Sequence, residues 1–163
     1  MKDDEYYLGI AEAVSKRSKC LKVKVGAIIV IGKRIVSAGY NGPPAGYPHC
    51  RKCARSDSIP GNSAHDPCCP SVHAEANAIV NAAKHGSKVE GGTLYLFGHT
   101  PCSSCTGLLL NSGLEKVVTQ KQILVPEKMI IDLLQAQAEA TSIANVTISI
   151  GQLSPPDTLK EAD

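Results

Sequence analysis

The chain has 163 residues, 43% of them hydrophobic and 20% charged, with a formal net charge of +2. That length fits one domain whose core needs no disulfide or metal to hold it, and so small a charge does not call for a nucleic-acid or acidic-membrane partner. The opening MKDDEYYLGIAEA lacks the basic-then-apolar order of a signal peptide, and no apolar run reaches a membrane span, so the seven cysteines read as thiols or metal ligands rather than as a disulfide framework.

Taken in chain order, residues 4–19 carry Tyr7, Ile10, Ala11 and Val14 at helical spacing and predict an amphipathic helix. VGAIIVI (25–31) and RIVSAGY (34–40) predict two strands, joined at Gly32-Lys33 by a Gly-X hairpin turn. From Asn41 to Pro70 there is no periodicity; a loop of that length in a small domain is either functional or disordered, and this one holds four cysteines and two histidines, which favours a loop pinned by something. Ser71 is the expected cap of a helix ending at His85-Gly86. TLYLF (93–97) is a strand; Thr100 as N-cap and Pro101 in the first helical position predict a helix to Ser112, stopped by Gly113. EKVVTQ (115–120) is a strand, Pro126 opens a helix to about Thr141, and NVTISI (145–150) is a last strand. Two opening strands followed by alternating helices and strands imply an α/β fold: a three-layer α/β/α sandwich on a mixed five-stranded sheet, one domain over 1–150, with a polar, mobile tail over 151–163.

Two short stretches carry chemistry. His73 lies near one predicted helix start, and Cys102 and Cys105, three apart and so on one helix face, lie in the first turns of another. Helix N-termini favour thiolate over thiol. One imidazole and two thiolates balance the charge of Zn²⁺, and three protein ligands leave the fourth tetrahedral position to water, as in catalytic zinc sites. Glu75, two residues beyond His73, is placed to move protons between that water and a leaving nitrogen. The bland readings are a helix-start histidine hydrogen-bonded in place, and a Cys-x-x-Cys that serves as a redox couple or as half a zinc ribbon, for which Cys50-Arg-Lys-Cys53 would supply the other half. His85, beside Gly86, suits a helix C-terminus, and His99 shapes a turn.

His73-Ala74-Glu75 with Pro101-Cys102-Ser103-Ser104-Cys105 matches the H-x-E…P-C-x-x-C signature of the zinc deaminases. The flanking SKRSKCLKVKVGAIIV, GYNGPPAGYPHC, CARSDSIPG and CCPSVHAEANAIVNAAKHGSKVEGGTLY, in that order over about residues 6–120, resemble the deoxycytidylate (dCMP) deaminases of bacteria and their phages, within the cytidine deaminase superfamily. The resemblance implies hydrolysis of dCMP to dUMP with release of ammonia: zinc-activated water attacks C4 of the cytosine and Glu75 shuttles protons. It implies that Asn41 contacts the deoxyribose, although an Asn-Gly pair is also an ordinary turn, and that the Ala74 N–H faces the pyrimidine. It further implies a second, structural zinc held by Cys20, Cys50, Cys53 and Cys69, with His49, His65 or Cys68 as substitutes, against the bland reading of free thiols. A homo-oligomer, of which a hexamer is one form, an allosteric dCTP with Mg²⁺, and residence in the cytoplasm (the host's, if phage-encoded) are implied in the same way. Lys16, Arg17, Lys19, Lys22 and Lys24 read mostly as a solvated basic face, and no phosphate ligand stands out.

Two departures bear on the site. The family's Tyr-x-Thr reaches Pro-Cys with one residue fewer than Tyr95-Leu96-Phe97-Gly98-His99-Thr100, which touches the pocket floor, and residues 121–163 have no family match. The alternatives are a superfamily enzyme for another substrate (a modified deoxycytidylate, free cytidine, or adenosine in tRNA, which would want a more basic surface) and a zinc-stabilised binding module with no use for Glu75.

Overall fold

Strand hydrophobicity sets the architecture. The computed structural model describes residues 3–53 and 69–140, so the predicted strand at 145–150, the tail at 151–163, His65 and Cys68 lie outside the described residues. In chain order the elements are α1 (Asp3–Ser15), β1 (Gly26–Ile31), β2 (Arg34–Tyr40), α2 (Ala74–Lys84), β3 (Thr93–Phe97), α3 (Ser103–Asn111), β4 (Lys116–Thr119), β5 (Ile123–Leu124) and α4 (Pro126–Ala140). The five strands form one mixed sheet in the order β2-β1-β3-β4-β5. Only β3 and β4 pair in parallel, with α3 as their crossover.

The inner strands are apolar on both faces because both faces are covered. Ile28, Val30, Tyr95 and Val118 point to one side, where Tyr7 and Ala11 of α1 pack on them. Ala27, Ile29, Leu94, Leu96 and Val117 point to the other, against Ala74 and Ala78 of α2, Leu109 of α3 and Met129 of α4. The result is the expected three-layer sandwich. Helix α1 is fastened at its start by Asp4, which accepts a hydrogen bond from Tyr95 Oη at 2.8 Å and meets Lys116 Nζ at 3.3 Å. Burial, and then the bond to Asp4, push the Tyr95 phenol above its ordinary range.

The differences from the sequence reading are local. Helix α1 stops at Ser15 and not at residue 19, since Arg17 N–H and Ser18 N–H turn back to the carbonyls of Val14 and Ser15, both at 3.0 Å, in tight three-residue steps. Both hairpin residues have positive φ, 54° for Gly32 and 66° for Lys33, so the turn is type I′ where Gly-X predicted type II′. The fifth strand described is the two-residue β5, which closes antiparallel on β4. Strand β2 and helix α2 touch at Gly39, where a β-carbon would meet the Ala78 nitrogen and, at 2.5 Å, the Ala74 carbonyl oxygen.

That contact yields a test. Gly39→Ala is expected to push α2 off the sheet and cost about 1–3 kcal/mol, the usual range for overpacking. A urea midpoint equal to that of the parent would show that the helix does not pack so closely.

Candidate metal centre and its cavity

The centre is assembled from two helix starts that face each other beyond the end of β3. His73 is the N-cap of α2 (φ −72°, ψ 156°) and Cys102 the N-cap of α3 (φ −81°, ψ 167°), both in extended geometry. Neither side chain caps its own helix. The sequence reading put Ser71 and Thr100 at those caps and Pro101 inside the helix; all three precede the helices, and the ligands hold the cap positions instead. Helix α2 is locked to β2 by Ser37 Oγ donating to the Ala78 carbonyl at 2.6 Å and by the Asn77 and Asn81 amides donating to the Tyr40 and Ala38 carbonyls, both at 2.8 Å.

His73 Nδ1 stands 3.5 Å from Cys102 Sγ and 3.4 Å from Cys105 Sγ. All three donor atoms lie within 4.8 Å of one another, and they are the one such group among the described residues. Zinc–sulfur bonds of about 2.3 Å and zinc–nitrogen bonds of about 2.0–2.1 Å at tetrahedral angles place N and S about 3.5 Å apart. The residues therefore fit a zinc ion with one position left open. Cys102 is held well below the ordinary thiol range, first by the hydrogen bond from Cys105 and also by His73, while Cys105 is pushed up by that same bond and by burial.

Glu75, in the first turn of α2, is 3% exposed. Burial raises its pKa from the usual carboxylate value; a backbone hydrogen bond and His73 oppose that rise, and Cys102 adds to it. It lines the same cavity as His73 and Cys102. Ala74 is fully buried and lines the same cavity. The first N–H groups of a helix have no intrahelical acceptor, so the Ala74 N–H is free of the helix ladder.

The cavity measures about 460 Å³, and its lining includes His73, Glu75 and Cys102 as well as Asn41, Val23 and Val25. Asn41 is 5% exposed, and its side chain is bound to the chain that enters β1: Oδ1 accepts from Val25 N–H at 2.8 Å and Nδ2 donates to the Val23 carbonyl at 2.9 Å. One N–H and one lone pair of the amide remain. Of the other cysteines, Cys20, Cys53 and Cys69 also line this cavity, Cys50 is exposed, and no three of the four sulfurs stand within one ion's reach among the described residues. The sequence reading missed Lys22 and Ser71 as lining residues and gave His99 only a turn. Ser71 Oγ is buried, with no hydrogen-bond partner among the described residues. His85 keeps to the helix C-terminus, where Nδ1–H donates to the Asn81 carbonyl at 2.8 Å.

A family model described as the cytidine and deoxycytidylate deaminase zinc-binding region matches residues 1–121, the span that holds His73, Glu75, Cys102 and Cys105. A deoxycytidylate deaminase of Mycobacterium phage D29 is 43% identical over 124 residues, 73% of this chain and 94% of that one. Another, of Enterobacteria phage T2, is 36% identical over 143 residues, 68% of this chain and 76% of its own. Among solved structures, the dCMP deaminase of cyanophage S-TIM5 in complex with dCMP and dUMP superposes with a TM-score of 0.61 at 30% identity, over 83% of this chain and 93% of the other.

The donor geometry predicts that the purified Cys105→Ala chain holds one zinc fewer than the parent after dialysis, counted by inductively coupled plasma mass spectrometry. Equal metal content in the two would remove Cys105 from the centre.

Proposed function

We propose that this chain, which belongs to the cytidine and deoxycytidylate deaminase family, catalyses the hydrolytic deamination of dCMP to dUMP with release of ammonia. The observation that carries the reading is a buried carboxyl, Glu75, set against a His-Cys-Cys group whose spacing fits zinc. When bound, the zinc lowers the pKa of the water it holds and so supplies a nucleophile near neutral pH. The protein's own groups do the rest. The Glu75 carboxylate accepts a proton from the attacking water, returns it to the ring nitrogen N3, and then carries the next one to the departing amine at C4. Water enters, ammonia leaves, and the pyrimidine gains a carbonyl oxygen, so the atoms balance. The Ala74 N–H, outside the helix ladder, donates to the base. The spare N–H or lone pair of Asn41 reads the deoxyribose while the rest of its amide stays bound to the residues that enter β1.

Three finer readings go with this one. Cys20, Cys53 and Cys69, which line the same cavity, would together with Cys50 hold a second, structural zinc. The second reading concerns regulation. A further cavity of about 550 Å³ is lined by Lys16, Arg17, Lys19 and His49 together with Tyr40 and Gly42. Its cationic lining suits a nucleoside triphosphate such as dCTP with Mg²⁺. Ser18 lies between Arg17 and Lys19 in sequence, is 1% exposed, and donates from Oγ to the Asn41 carbonyl at 2.8 Å, so an anion there would act on the strand end that forms the catalytic cavity. The homo-oligomer has Ile123, Val125, Ile130 and Leu134, all exposed on β5, α4 and the residue between them, as apolar surface to bury.

Glu75→Gln is expected to retain zinc and lose about 10²–10⁴-fold in turnover of dCMP, the usual contribution of a general acid–base group. Unchanged ammonia release would leave a zinc-stabilised module as the better reading. Ammonia release from dCMP, CMP, deoxycytidine and dCTP, each assayed separately, tests the substrate, and the first is expected to lead. A dCMP rate indifferent to added dCTP and Mg²⁺ would remove the effector site. Metal analysis of the parent is expected to find two zinc ions per chain, and one would remove the structural site.

A further inference from the structure

Strand β2 is an edge of the sheet, yet its outer rim is already occupied. Asn41 N–H donates to the Val25 carbonyl at 3.2 Å, so the Asn41 backbone turns toward the chain that enters β1. Backbone groups of alternate strand residues point to opposite sides, so Ala38, Tyr40 and Gly42 turn outward. The carbonyls of all three are taken by the segment 72–81. Ala38 accepts from the Asn81 amide, Tyr40 from the Asn77 amide and Gly42 from Val72 N–H, each at 2.8 Å. Gly42 N–H donates in return to the Val72 carbonyl at 3.1 Å. The spacings agree, since alternate strand residues lie about 6.6–6.8 Å apart and four helical residues rise about 6 Å.

These bonds hold different parts of the chain. Val72 and Asn77 bracket His73-Ala74-Glu75-Ala76, so the stretch that carries a metal ligand and the buried carboxyl is strapped at both ends to one strand. Asn77 also carries the first bond of the helix ladder, from its N–H to the His73 carbonyl at 3.0 Å. Gly39, next to Tyr40, leaves room for the Ala74 carbonyl oxygen, which a β-carbon there would meet at 2.5 Å. Asn81 makes the same side-chain bond one turn farther on, beyond the residues of the site. Helix ends fray, so the first turn is where such a strap has most to hold. His73 gains a further hold from a metal ion when one is bound. Glu75 is not among the three candidate ligands, so its place depends on the chain.

Resting on the deaminase reading, we propose that Asn77 is a positioning residue for Glu75. Its bond to the Tyr40 carbonyl fixes the first turn of α2 against β2 and so sets where the carboxyl stands in the cavity. Asn81, with a bond of equal length, fastens the helix and leaves that turn alone.

The test compares the parent with Asn77→Ala, Asn77→Leu, Asn77→Gln and Asn81→Ala. Zinc content, thermal midpoint, kcat and KM for dCMP are measured on each, with hydrogen exchange of the segment 73–78 by mass spectrometry. The two alanine variants are expected to lose similar amounts of thermal midpoint and to keep their zinc. Asn77→Ala should lower kcat about 10- to 100-fold, the scale on which a small misplacement slows a reaction, with KM little changed. Asn81→Ala should keep the parent's kcat. Asn77→Leu, which keeps volume and loses the donor, should behave as Asn77→Ala, and Asn77→Gln, which keeps an N–H donor, should recover part of the rate. Exchange in 73–78 should speed up in Asn77→Ala and not in Asn81→Ala. Equal losses of kcat in the two alanine variants, an unchanged kcat in Asn77→Ala, or equal exchange in 73–78 would overturn the assignment. A parent that releases no ammonia from dCMP would refuse the deaminase reading itself, and the assignment with it.

Discussion

One imidazole nitrogen lying about equally far from two sulfurs, 3.5 and 3.4 Å, is the arrangement on which the rest of this structure depends. The three atoms come from helix starts 29 and 32 residues apart in the chain, so neither helix can place them alone. The sheet does the placing. Helix α2 is held to β2 by three side-chain hydrogen bonds and by contact at Gly39, and the start of α3 is tied by Thr106, whose N–H and hydroxyl both donate to the Cys102 carbonyl, at 2.8 and 3.0 Å. Two helix N-termini then direct their positive ends at one spot, each favouring an anionic thiolate by about 0.3–1 kcal/mol. The packing of sheet and helices thus sets the spacing of the three donors.

That preparation has a local cost. A Ser, Thr, Asn or Asp at an N-cap stabilises a helix by about 1 kcal/mol over a residue that cannot cap. Here His73 and Cys102 hold the two caps and neither bonds its own helix. Ser71, a good capping residue by type, falls short of the position and keeps a buried, unpartnered hydroxyl. Departures from local propensity gather where a protein does its work, and in this chain they gather around one cavity.

The same departures explain what was legible in the sequence. Periodicity showed the hairpin, the helices and the strands that became β3 and β4, because each buries a continuous apolar face and shows it in the spacing. The ligands were legible because zinc chemistry constrains residue type and order. The caps were not: Ser71 and Thr100-Pro101 are strong local signals, overridden by the need to aim His73 and Cys102 at a common point. Strand β5 was missed because two residues, Ile123 and Leu124, are too few to show a period of two. Lys22 was hidden in a run of cations whose other members face elsewhere, and only the folding of 23–25 against Asn41 brings it to the cavity. The cysteines of the long loop were read as a set by residue type; the described backbone brings three of them to the cavity wall without gathering them.

Glu75 separates an enzyme from a metal-held scaffold. A scaffold gains nothing from a carboxyl that is 3% exposed, since taking a charge out of water is costly unless the charge is compensated. Burial raises the pKa of this carboxyl above the usual carboxylate value, toward the range in which the proposed general acid–base group can both take up and give up a proton. The cavity supplies the remaining condition. Glu75 shares it with His73 and Cys102, so the buried carboxyl opens on the same space as two of the three candidate ligands.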